Sequence, residues 1–258
     1  MVKQGIYYLK EKLSHLAYRS TTPAVTRNND LYIVEYPKSG ITWLTSILAN
    51  CCLVESGTNI RTTYYNLEQI IGDIHINRDI ADNLIYPYYR LIKSHSTYNP
   101  FYRHVIYLIR NPYSVMKSYY HYISNHDGYD GDLNKFVKSR KFGIDCWVRH
   151  VNSWTHPKKE MKFHLVRYED LHDDAFSTMK TLFNNIGLNI SDDTIRSSID
   201  YCSFENMRSS DKLYRENSPS RNYDFVREGK AEADLDDALK SLIKSRASDL
   251  IEQFYPDI

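Results

Sequence analysis

The stretch "HVIYLI", residues 104–109, is a nearly unbroken apolar run. A strand with one wet face alternates apolar and polar residues. An unbroken run instead asks for cover on both faces, which is the situation of a strand in a parallel sheet. Leu31–Tyr36, Arg90–Lys93 and Lys162–Arg167 read as strands of the same kind. Helical patterns follow them at Thr42–Leu53, Pro112–Ser124, Asp132–Phe142, Ile144–His156, Asp173–Ile186, Ser191–Tyr201 and Leu235–Phe254. Pro112 marks a helix start, because the N–H that proline lacks has no partner in a first turn anyway. Strands alternating with helices predict an α/β fold with a central parallel sheet flanked by helices. The 258 residues carry no repeat and no low-complexity linker, so one domain spanning 1–258 is expected. Residues 1–28 read as an N-terminal arm or helix, and 209–234, polar and broken by Pro and Gly, as a mobile loop.

The formal net charge is +1, which removes any global field toward nucleic acid or a lipid surface. An anion site must therefore come from local placement. The four cysteines (Cys51, Cys52, Cys146, Cys202) show neither metal-ligand spacing nor a disulfide framework, which suits a reducing, cytoplasmic setting. No apolar stretch approaches the roughly 20 residues needed to cross a bilayer, and the first twenty residues lack a secretory apolar run. No acidic cluster or histidine pair has the spacing of a metal site, so no metal is expected.

Ligands of open α/β sheets bind at the carboxyl ends of the strands, and three such junctions carry polar groups. "YPKSGITW", Tyr36–Trp43, leaves the first strand and opens a helix. Helix N-termini present unpaired N–H groups and partial positive charge. Lys38, Ser39 and Thr42 add donors, and Gly40 permits close backbone approach. The lysine precedes the glycine, the reverse of the G-K-[ST] order in nucleotide loops. "RLIKSHS" puts Lys93 and His95 on one face of a strand end. A lone histidine is most often structural. One beside a lysine near an anion loop is a candidate proton acceptor. "YLIRNPYSVMKS" places Arg110 at a strand end and Ser118 in the helix that follows, and arginine suits bidentate phosphate binding.

Together the three junctions resemble the soluble, cytosolic-type sulfotransferases that use 3′-phosphoadenosine-5′-phosphosulfate (PAPS) and release PAP. That family carries a YPKSGTTW loop, a K-T-H strand end, an Arg–Ser segment of the same spacing and a late R-K-G loop, which are matched by YPKSGITW, KSH, Arg110–Ser118 and "REGK" at Arg227–Lys230. The match runs over about residues 30–230. It implies that the loop is a P-loop-like phosphosulfate cradle formed by Lys38, Ser39, Gly40, Ile41 and Thr42. Lys38 would stabilise charge on the departing phosphate, Lys93 would contact the sulfuryl oxygens and His95 would take the acceptor's proton. Arg110, Ser118 and Arg227, with Gly229 close by, would hold the 3′-phosphate. Trp43, Tyr168 and Phe204 fall where the family holds adenine; ordinary core packing would equally account for Tyr168 and Phe204, and less well for Trp43. Lysines would do here what Mg²⁺ does in a kinase, because a sulfuryl group carries less charge than a phosphoryl group.

Three positions depart from the pattern. Ile41 replaces a threonine, Glu228 stands where a lysine is usual, and Cys202 replaces a hydroxyl residue. The family's dimer motif is absent after Gly229. The expected partner is a small-molecule acceptor of phenol, alcohol, amine or carbamoyl type, with Tyr64, Tyr65, Tyr98, Phe142 and Trp147 as candidate walls. Nucleic acid and membrane are not expected partners. A nucleotide kinase or hydrolase with a P-loop, and a non-catalytic PAP(S)-binding module, are the alternatives. The missing G-K-[ST] order speaks against the first, and the joint presence of Lys38, Lys93 and His95 against the second.

Overall fold

The computed structural model describes residues 18–63, 66–80, 89–126, 128–156, 161–216 and 235–258. Four of its strands are the four runs picked out above: β1 (Asp30–Glu35), β3 (Arg90–Ser94), β4 (His104–Ile109) and β5 (Lys162–Arg167). A two-residue strand, β2 (Gly72–Asp73), adds an edge. All pairings are parallel, in the order β2-β3-β1-β4-β5. Alternate residues divide between two cores. Leu31, Ile33, Leu91, Ile106 and Leu108 face one side, while Tyr32, Val34, Ile92, Val105 and Tyr107 face the other. Each fully buried Leu or Ile is worth about 1.5–3 kcal/mol, whereas strand propensity spans only about 1 kcal/mol. Burial on both faces, more than strand propensity, therefore holds these runs in the sheet.

The helices are α1 (Ile41–Glu55), α2 (Leu67–Ile70), α3 (Pro112–His126), α4 (Leu133–Val137), α5 (Ile144–Thr155), α6 (Tyr168–Asp173), α7 (Ala175–Ile186), α8 (Asp192–Tyr201), α9 (Phe204–Glu216) and α10 (Asp237–Phe254). Helix α1 lies in the first core, packed against α8, and buries Ile41 and every residue from Leu44 to Leu53. The second core is filled by α3, α5 and α10.

Two expectations are corrected. Residues 209–216 are not loop but the end of α9. The inward stripe of this helix passes through Asp211, which is only 3% exposed, so the apolar period that would have betrayed it is broken. Helix α4 is also shorter than Asp132–Phe142. The Ser139 hydroxyl accepts from the Lys141 and Phe142 amides and bends the chain away. The remainder of the expected loop (217–234) and residues 1–17 of the expected arm lie outside the described residues.

The chain passes from β3 on one side of β1 to β4 on the other. The carboxyl end of β1, flanked by those of β3 and β4, is thus the switch point of the sheet, where open α/β folds leave a crevice.

Candidate active site

Strand β1 delivers the chain into the turn Tyr36–Gly40, and α1 begins at Ile41. The turn is held by bonds from the Ser39 hydroxyl and amide to the Tyr36 carbonyl, at 2.8 and 3.2 Å. Gly40 has φ 111°, and Lys38, a non-glycine, has φ 75°. A Cβ at Gly40 would sit 2.5 Å from Cδ2 of Tyr168. Glycine is required twice over, by conformation and by space. Gly40→Ala is expected to cost about 2 kcal/mol from left-handed strain plus the displacement of Tyr168, lowering Tm by about 5 °C or more. Gly57→Ala is the control, because Gly57 has φ 72° with nothing within 4 Å of an added Cβ. Equal losses in the two variants would show that the Tyr168 contact is immaterial.

Arg110, following β4, lies with its guanidinium 4.0 Å from the Tyr168 ring centre and donates to the Lys38 carbonyl at 3.4 Å. Trp43 packs edge-on against Tyr168 at 5.9 Å and donates its indole N–H to the Cys202 carbonyl at 3.0 Å. Tyr168, Trp43, Arg110 and Gly40 thus form one contiguous wall. The Cys202 thiol, pushed up to about 12 by burial, accepts from the Asn50 amide. Phe204 begins α9 and is 37% exposed. Thr42 lines a cavity of ≈ 410 Å³ together with Ser46, Thr62, Tyr201, Asn206 and Met207. Ser118 is half-buried on α3. Arg227, Glu228, Gly229 and Lys230 lie outside the described residues, as do Tyr64 and Tyr65.

On the other side of β1, Lys93 pairs with Asp73 at 2.9 Å, and β2 exists in register to bring them together. Burial alone would raise the Asp73 carboxyl, but Lys93 outweighs it and the group is held below its usual range. His95 donates its backbone N–H to His75 Nε2 at 2.8 Å, and the two rings stack at 5.7 Å. Burial, then the Lys93 charge, push the His95 imidazole down to about 3. Since a quarter of its side chain is exposed, water blunts part of that depression. The imidazole is therefore neutral at pH 7. The Lys38 ammonium lies 4.7 Å from the centre of the Tyr122 ring.

Sequence reasoning missed Glu35, Asp73 and His75. Glu35 is 2% exposed, accepts from the Lys38 and Ile41 amides and stands 3.8 Å from His95 Nδ1. Its place directly before "YPKSG" was the available signal. One candidate wall residue is corrected. Trp147 is fully buried in the second core and cannot face an acceptor. Tyr98 and Phe142 are partly buried, and the Phe142 carbonyl accepts from the Tyr36 hydroxyl at 2.6 Å, which ties that aromatic cluster to the loop. All four cysteines are free and buried. Among the described residues no three His, Cys, Asp or Glu side chains group as metal ligands, and no helix is long and apolar enough to cross a membrane.

The profile of the sulfotransferase domain matches residues 28–253. Sulfotransferase 2A1 of Rattus norvegicus is 27% identical over 204 residues, which is 72% of this chain and 69% of that protein. Sulfotransferase 2A6 of Mus musculus is 27% identical over 247 residues, 89% of this chain and 80% of its own. The amine sulfotransferase of Oryctolagus cuniculus is 24% identical over 70% of this chain and 64% of its own. Among solved structures, mouse sulfotransferase SULT7A1 complexed with PAP superposes with a TM-score of 0.63 at 19% identity, covering 91% of this chain and 87% of its own. Retinol dehydratase in complex with androsterone and PAP gives 0.69 at 16% identity, over 91% and 84%. These two share the fold. With most of its length matched by the domain profile, this chain belongs to the sulfotransferase family.

Proposed function

We propose that the protein transfers a sulfuryl group from PAPS to a hydroxyl or nitrogen of a small molecule by in-line displacement, releasing PAP. The observation that carries this reading is the gathering of Lys38, Lys93, His95 and Arg110 from three adjacent parallel strands around a glycine turn with no room for a side chain. In this reading the backbone from Ser39 to Thr42 receives the 5′-phosphosulfate at the head of α1. The Arg110 guanidinium, held over the Tyr168 ring, and Ser118 receive the 3′-phosphate. Lys38 answers charge building on the leaving phosphate, and Lys93 the sulfuryl oxygens. His95, neutral at pH 7, accepts the proton of the attacking group. Two lysines supply the positive charge, and no metal step is needed. The tyrosine and phenylalanine cluster beside Tyr36 suits an aromatic or steroid-like acceptor. A relative bearing the name amine sulfotransferase keeps nitrogen chemistry in range beside hydroxyl chemistry. The four buried thiols suit the cytoplasm.

The test is thermal unfolding with PAP, PAPS, AMP and ATP–Mg²⁺ in turn. A ligand at 100 times its Kd stabilises the fold by about 2.7 kcal/mol, which raises Tm by about 5 °C or more. The expected result is such a rise with PAP and PAPS and little change with AMP or ATP–Mg²⁺. A larger rise with ATP–Mg²⁺ than with PAP would overturn the reading in favour of a nucleotide kinase or hydrolase.

A further inference from the structure

The turn after β1 offers amides to an anion, yet two of them are already engaged. Glu35 Oε1 accepts from the Lys38 N–H at 3.1 Å, and Oε2 from the Ile41 N–H at 2.7 Å. Lys38 faces the same carboxylate from its own loop, Lys93 from β3, His95 from just past its end, and Tyr107 from β4. Asp73 on β2 lies one step further, against Lys93. His95 Nδ1, 3.8 Å from Oε1, is buried and makes no hydrogen bond among the described residues. The main-chain carbonyl of Glu35 also faces the imidazole. Lys38, Lys93 and the Ile41 amide around Glu35 are among the groups proposed above to receive the phosphosulfate, and His95 is the proposed base beside them, so the floor of that site already holds a resident anion. On that reading of the site, we infer that Glu35 is a further residue of the cosubstrate site, whose carboxyl group shares the loop amides with the incoming anion and takes up a proton as it binds.

The physical reason is that two anions drawn to the same few donors repel each other across a dry space, and the carboxylate can relieve this by becoming neutral. A neutral carboxyl still has one oxygen for an amide, and its O–H can donate to a phosphate or sulfuryl oxygen. Burial raises Glu35 to about 7 against the pull of the Ile41 amide, Lys93 and Lys38, so the proton is within reach at neutral pH. Binding an anion beside it raises it further. Affinity should then be flat below pH 7 and fall as pH rises above it, until the bound-state value is passed. The phosphates of PAP work in the opposite sense. They lose their last protons near about pH 6, and binding to cations strengthens as they do.

The experiment is calorimetric titration of the whole protein with PAP between pH 6.5 and 8.5, for wild type and Glu35→Gln. Taking the ratio of the two affinities cancels the titration of the ligand. The ratio of wild-type to variant affinity should fall by about five- to tenfold between pH 7.5 and 8.5. At pH 8, heats in buffers of different ionisation enthalpy should show wild type taking up close to one proton per PAP. His75 and His95 are both held low and are neutral at that pH. The wild-type proton count stands by itself if the glutamine variant folds poorly. A pH-independent ratio, or binding by wild type with no proton uptake at pH 8, overturns the inference while leaving PAP binding intact. Absence of PAP binding at every pH instead overturns the cosubstrate reading, and this inference with it.

Discussion

Replacing His95 with glutamine is expected to lower kcat by about two to four orders of magnitude, with PAP affinity changed by no more than about twofold, since the ring is assigned to the acceptor's proton. The measurement is transfer of labelled sulfate from PAPS to whichever phenol, alcohol or amine of a panel the wild type modifies, beside PAP binding to each protein. Glutamine keeps a polar side chain of similar reach, so the stacking partner His75 and the buried carboxylate Glu35 are not left facing a void. The pH profile tests whether the ring titrates where an exposed histidine does. An ordinary histidine would lose its basic form as pH falls through about 6.5. His95, pushed down to about 3 by burial and by Lys93, stays neutral well below that. Wild-type kcat/KM should therefore show no acidic limb near pH 6.5 traceable to His95. A fall in kcat of less than about tenfold in the variant, or an equal loss of PAP binding, would refute the role of base.

The sheet and the three junctions were legible because their signals are local. "HVIYLI" states its own burial, and Lys38, Gly40, Lys93, His95 and Arg110 are each announced by a strand end or a helix start. What was not legible depends on contacts made across the fold. Gly72–Asp73 is too short to show any period, yet it forms the edge strand that pairs Asp73 with Lys93. Glu35 reads as the polar end of a strand until the turn folds back and places two amides on its carboxylate. Trp147 looked exposed to ligand because aromatic composition does not distinguish a pocket wall from a core, and only the packing of α5 buries it. Asp211 hid α9 for the converse reason, being a charge on an inward stripe.

Asp30→Ala is expected to cost about 3–5 kcal/mol, the usual loss when one partner of a buried ion pair is removed. Asp30 and Arg90 are adjacent in register on β1 and β3, both under 6% exposed. Arg90 Nε and Nη2 meet the two carboxylate oxygens at 2.7 and 2.9 Å. The same guanidinium donates to the Val25 carbonyl at 2.6 Å and the Ile80 carbonyl at 3.1 Å, while Asp30 also accepts from the Arg27 amide and the Tyr32 hydroxyl. Alanine would leave a buried guanidinium with carbonyls alone, and would strip two donors of their acceptor. Tm should fall by about 10 °C in a domain of this size. The loss should be one of stability and not of the site, because β1 carries the pair at one end and the phosphosulfate loop at the other, roughly 17 Å away. At a temperature where the variant is still folded, PAP should bind it as it binds wild type. Arg90→Met combined with Asp30→Ala should recover part of the loss, since an apolar pair leaves no charge unanswered. A loss below about 1 kcal/mol for the single variant would mean that water reaches the pair and screens it as at a surface. A PAP affinity that fell with stability would mean that the two ends of β1 are coupled, and that the carboxyl end of the sheet is held in shape by a bond at the other.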